Sequence, residues 1–125
     1  MTPLIDFKKA LRSFRFAGRG IMELFRFENN ARIHLSVAII VIGAGFYFQL
    51  SYTEWALIST QITLVWSAEA FNTALEKIAD VVSPEYHPLI KSVKDLAAGA
   101  VLIVAVAAVI VGLLVFLPKI IALLS

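Results

Sequence analysis

Apolar residues in this chain gather into three long runs, and a fourth stretch near the N-terminus sorts them onto one face. Crossing the hydrocarbon of a bilayer takes about 20 apolar residues in a helix. Leu96 to Leu117, "LAAGAVLIVAVAAVIVGLLVFL", carries no charge and gives way to Pro118-Lys119. Ile33 to Leu50 is apolar apart from His34, Ser36 and Gln49. Trp55 to about Ile78 reads as a span between them, with "SYTE" before it and "SPEYHP" after, where Pro84 and Pro88 break the chain between helices. Upstream, from about Ile5 to Phe27, the residues Phe7, Leu11, Phe14, Ile21 and Phe25 share one side at helical spacing, and Lys8, Arg12, Arg15, Arg19 and Arg26 share the other. That pattern predicts an amphipathic helix lying in the membrane surface, basic face outward. The expected architecture is all-α: one integral membrane domain over 1–125, with a surface helix at about 5–27 and three transmembrane helices over 33–50, 55–78 and 96–117.

Composition agrees with a bilayer setting. Hydrophobic residues make up 60% of the chain and charged residues 16%, with a mean hydropathy of +0.86, which leaves too little charge to cover a water-facing surface. The absence of cysteine excludes disulfides, thiolate metal sites and thiol nucleophiles. Net charge is only +2, but seven of the eleven Lys and Arg residues fall within residues 1–34. The turn from Gln49 to Glu54 has none, the connection from Lys77 to Asp95 adds Lys91 and Lys94, and the tail has only Lys119. The positive-inside rule then puts the N-terminus in the cytoplasm and the C-terminus outside. No cleavable signal peptide is expected, because the basic N-terminus lacks a short apolar core leading to a small-residue cleavage site.

The middle span is the least apolar, and its polar residues are ordered. Glu69, Asn72, Glu76 and Asp80 are spaced i, i+3, i+7, i+11, which confines them to an arc of roughly 80° on one helix face. An ionised carboxylate at membrane depth costs on the order of several kcal/mol unless paired or hydrated, so such a row should face protein or a water-filled site. By the same topology, Glu28 before the first span and Lys94 and Asp95 before the third lie at this cytoplasmic level. Pairing with Lys94, or a helix cap, would account for one glutamate but not for several with few basic partners. Oxygen ligands of this kind suit Mg²⁺ bridged to substrate phosphates, a lysine suits phosphate oxygens, and a spare carboxylate can accept a hydroxyl proton. A pathway for cations would also line carboxylates along one face, and the pattern alone leaves both readings open.

Other signals are weak. "GRG" at 18–20 lacks the strand–glycine–helix setting of a nucleotide loop, and no GxxxxGK occurs. His34 and His87, far apart in sequence, read as interfacial rather than metal-binding. "AAGA" at 97–100 suggests a small-residue surface where helices approach closely, and Tyr47, Tyr52, Trp55 and Tyr86 suit an aromatic belt.

"EAFNTALEKIAD" at 69–80 resembles the signature of the prokaryotic diacylglycerol kinase and undecaprenol kinase family, and the likeness extends through "SPEYHPLIKSVKDLAAGAVL" and upstream to Glu28 and Arg32. Phe71 departs from it, occupying a place that is usually aliphatic. The resemblance implies a homotrimer of three-span protomers in a bacterial cytoplasmic membrane, with the active site on the cytoplasmic side. It implies transfer of the γ-phosphate of ATP, with Mg²⁺, to the hydroxyl of a membrane lipid, and no nucleic-acid partner. Carried over by position, Glu69 is the general base at the lipid hydroxyl, and Glu28 and Glu76 are the metal ligands. Asn72 and Lys94 stand at the transferring phosphate, Asp95 on the nucleotide side, and Asp80 near nucleotide or metal. Glu85, Tyr86 and His87 line the ATP pocket from another side. Phe16 and Ala17 replace a Tyr and a Ser that contact the nucleotide in some members, and Lys9 stands where a basic residue meets the lipid. "RIH" at 32–34 and "HPLIKSVKDLAAGAV" look more like the undecaprenol kinase branch.

Overall fold

A computed structural model describes residues 4–125, so the first three residues of the domain expected over 1–125 lie outside the described residues. The described chain forms four α-helices and no strand: α1 (Phe7–Phe27), α2 (Asn29–Tyr47), α3 (Tyr52–Val82) and α4 (Pro88–Leu124).

Helix α1 starts where the Asp6 carboxylate accepts a hydrogen bond from the Lys9 amide at 3.0 Å, a side-chain N-cap. Its apolar face is bare along most of its length, with Phe7, Leu11 and Phe14 exposed and only Leu24 buried. Glu28, extended at φ −92° and ψ 117°, ends α1 and caps α2 at once. The backbone stays satisfied across this break, because the Glu28 amide donates to the Leu24 carbonyl and the Arg32 amide donates to the Glu28 carbonyl.

Helix α2 ends in a Schellman turn. The Leu50 amide reaches the Gly45 carbonyl at 3.1 Å, the Gln49 amide reaches the Phe46 carbonyl at 3.3 Å, and Gln49 takes φ 53° in the left-handed region. The turn delivers Leu50 into an apolar cluster with Ile58 and Val115, flanked by Trp55, Phe48 and Phe116. Glycine is required at position 45, since a Cβ there would stand 2.6 Å from Trp55 Cη2. Ser51 and Glu54 then form a reciprocal capping box that starts α3.

Helices α2 and α4 are long and apolar enough to cross a membrane. Helix α3 has 31 residues but falls short in hydropathy, because its acidic residues and amides interrupt the apolar run. Helix α4 begins at Pro88, behind the N-cap His87, and extends past the apolar window over 96–117 at both ends. It continues through Pro118 to Leu124, so the proline does not end it. A proline costs the helix one backbone hydrogen bond, which the surrounding turns can absorb. Helix α3 packs chiefly along α4 and more lightly against α2 and α1.

Candidate active site at the polar end of α3

The acidic stripe changes character along α3. Glu69 is 2% exposed, Asn72 and Thr73 are buried beside it, Glu76 is half-buried, and Asp80 is open to solvent. Helical spacing puts these groups on one side, and Glu69, the first of them, is buried with His34 of α2 beside it.

Oε1 of Glu69 lies 3.1 Å from Nε2 of His34 on α2. His34 had the look of an interfacial residue within an apolar run. It is instead the partner of the most buried carboxylate in the stripe, because helical pairing brings α2 over α3 at this level. One turn further on, Asn72 Nδ2 donates to Glu76 Oε1 at 3.2 Å, while Asn72 Oδ1 is buried without a partner. An unsatisfied buried oxygen costs about 1–3 kcal/mol, so it marks a place where a ligand could complete the bonding.

Glu28 also borders a cleft of about 320 Å³ between α1 and α3, together with Ala17, Gly20, Thr73, Glu23 and Lys77. Glu23 and Lys77 form an ion pair across it, and Phe25 meets Trp66 edge-on at 5.3 Å below. Among the described residues no three His, Cys, Asp or Glu side chains converge closely enough to hold an ion by themselves. Two carboxylates completed by phosphate oxygens and water are, however, the set that Mg²⁺ commonly takes.

Outside this inner group lies a charged rim. Lys94 Nζ meets Asp80 Oδ1 at 2.6 Å, and Lys91 Nζ meets Asp95 Oδ2 at 2.6 Å. Glu85 and Tyr86 are exposed on the α3–α4 connection, and His87 Nδ1 accepts from the Leu89 amide at 3.2 Å, capping α4. Phe16 is exposed on α1. Lys9 is exposed near the start of α1, where its backbone bonds stay within its own turns, and it is not brought to Glu69.

The structure thus pairs Glu69 with His34, Asn72 with Glu76 and Asp80 with Lys94, and puts Glu28 on the cleft that Thr73 also lines. Sequence reasoning missed His34, Thr73 and the Glu23–Lys77 pair. The signal for His34 was present, as one of the few polar residues in an otherwise apolar run, but only a contact between two helices gives it a partner.

Comparison with known proteins adds the class. A family model described as prokaryotic diacylglycerol kinase matches residues 15–116. The chain is 44% identical to undecaprenol kinase of Bacillus subtilis, over 91% of this chain and 93% of the relative. It is 42% identical to a diacylglycerol kinase of Synechocystis, over 90% of this chain and 65% of that longer protein. It is 24% identical to diacylglycerol kinase of Escherichia coli K12, over 83% and 85%. Kinase relatives decide against the cation pathway that the stripe alone allowed. This chain, with its apolar helices and its buried glutamate, belongs to the prokaryotic diacylglycerol kinase family of membrane lipid kinases.

Proposed function

We propose that this protein transfers the γ-phosphate of Mg-ATP to the primary hydroxyl of a membrane lipid, with Glu69 as general base. The observation that carries the reading is Glu69 itself. It is a carboxylate 2% exposed, with one oxygen 3.1 Å from His34 Nε2, on the helix that also carries Asn72 and Glu76. A lipid hydroxyl lies at the same interfacial level. Glu69 takes its proton as the lipid oxygen bonds to the γ-phosphorus, and the bond from that phosphorus to the bridging oxygen breaks to release ADP.

Glu28 and Glu76 would hold the divalent ion, Mg²⁺. Their hard oxygen donors and the unpartnered Asn72 Oδ1 nearby fit such an ion with its phosphate ligands. When bound, the ion neutralises charge on the phosphates. Asn72 and Lys94 steady the transferring group, Lys94 being held in place by Asp80. Asp95, Glu85, Tyr86 and His87, with Phe16 and Ala17 on α1, form the nucleotide side, and Lys9 meets the lipid headgroup.

Helix α3 serves as the third span, since about 46 Å of helix runs alongside α4. The N-terminus and the site face the cytoplasm of a bacterial inner membrane, because Lys and Arg concentrate at that end. Three protomers assemble, as the family resemblance implies. Undecaprenol is the favoured acceptor over diacylglycerol, supported by the undecaprenol kinase relative matched over 93% of its length and by "RIH" at 32–34. The test is purified protein given labelled ATP with either undecaprenol or diacylglycerol. Label in the undecaprenol product supports the full reading, label in phosphatidic acid moves the substrate, and label in neither removes the proposal.

A further inference from the structure

Glu69 has one cation-forming neighbour within ion-pair distance, and it comes from a different helix. His34 Nε2 stands 3.1 Å from Oε1, within ion-pair distance. The His34 side chain is 26% exposed and the Glu69 side chain 3%. His34 also lines an apolar groove of about 500 Å³ between α2, α3 and α4, beside Val37 and Trp66. The imidazole is therefore set between the buried carboxylate and this apolar groove.

We infer that His34 is the positioning residue for Glu69, fixing one carboxylate oxygen so that the other is presented to the lipid hydroxyl. The inference rests on the proposed role of Glu69 as base. A glutamate side chain has a broad terminal torsion, and among the described residues no other ion-pair or hydrogen-bond partner meets this carboxylate. Without an anchored oxygen the group would sample orientations in which neither lone pair meets the hydroxyl, and a misplacement of about 1 Å can cost on the order of 100-fold in rate. Placement on α2 matters as well. His34 follows Glu28, the N-cap of α2, by six residues, so the helix that begins at a proposed metal ligand also orients the proposed base.

The experiment compares His34→Leu, His34→Gln and His34→Asn with Glu69→Gln in the intact enzyme, measuring kcat and the KM for ATP and for lipid separately, with helix content and Tm as fold controls. His34→Leu is expected to lose about 100-fold in kcat with the KM for ATP nearly unchanged. Glutamine carries an amide donor of similar reach and should recover most of the loss, whereas asparagine, one carbon shorter, should not. If His34→Leu fails to fold, the contrast of glutamine with asparagine decides, and equal rates in those two overturn the inference. A normal kcat in His34→Leu while Glu69→Gln has lost turnover also overturns it and leaves the base role of Glu69 standing. Normal turnover in Glu69→Gln overturns both.

Discussion

At its N-terminal end α3 has its polar cap groups paired, and further along, from Glu69 to Asn72, it leaves buried polar groups short of partners. Ser51 and Glu54 close a capping box, and Glu54 Oε2 also meets Lys119 Nζ at 3.1 Å, tying the start of α3 to the far end of α4. Leu50, Ile58 and Val115 are buried beside that tie. Further along, Glu69 is just as buried as those apolar residues but is met by a single histidine, and Asn72 Oδ1 has no partner. A buried polar group that is fully paired serves the fold, and one kept short of partners is a burden on stability that a ligand can relieve. One helix therefore carries an end built for holding and an end built for binding.

The contrast can be broken at either end. The largest effect is expected for Glu69→Gln, which keeps the shape of the side chain but cannot take a proton. Its kcat should fall by about 100- to 10,000-fold, with ATP binding and helix content retained. Turnover within a few-fold of the wild type would make Glu69 a structural residue like Glu54. The next effect belongs to the other end. Gly45→Ala places a Cβ against Trp55 and within 3.1 Å of Leu50 Cδ1. Overpacking costs about 1–3 kcal/mol, offset by up to about 1 kcal/mol of helix propensity, so Tm should drop while kcat of the folded enzyme is preserved. A Tm equal to or above the wild type would show that this end repacks freely.

The smallest effect concerns Glu54. The Ser51 amide, and after it Lys119, hold its carboxyl below the usual carboxylate range. A depressed value means that the folded state gains stability above the ordinary carboxylate range and loses it as pH falls through the lowered value. Glu54→Gln should therefore flatten the acid side of the Tm-versus-pH curve slightly without altering turnover at neutral pH. An unchanged acid limb would remove Glu54 from the holding end.

How much of this was legible in the sequence follows the range of the interactions. The stripe from Glu69 to Asp80 is local, since helical geometry alone puts its residues on one face, and the charge-free run before Pro118 announces α4. The Glu69–His34 bond, the Glu54–Lys119 tie and the clash that keeps position 45 a glycine all depend on how separate helices meet, and no spacing encodes them. Pro118 misleads for a related reason. A proline breaks a helix by local rules, yet here the flanking apolar turns carry α4 past it to Leu124. Residues such as Lys9, Glu85 and Tyr86 stay exposed in the single chain, and their proposed contacts await nucleotide and lipid.

The claim that the open end of α3 gathers its carboxylates around a cation and a triphosphate is tested most directly by metal binding. Mn²⁺ can stand in for Mg²⁺ and be followed by electron paramagnetic resonance, with and without a non-hydrolysable ATP analogue. The wild type should bind Mn²⁺ tightly only with the analogue present, and Glu28→Ala and Glu76→Ala should each lose that binding while keeping their fold. Wild-type Mn²⁺ affinity in both variants would contradict the account.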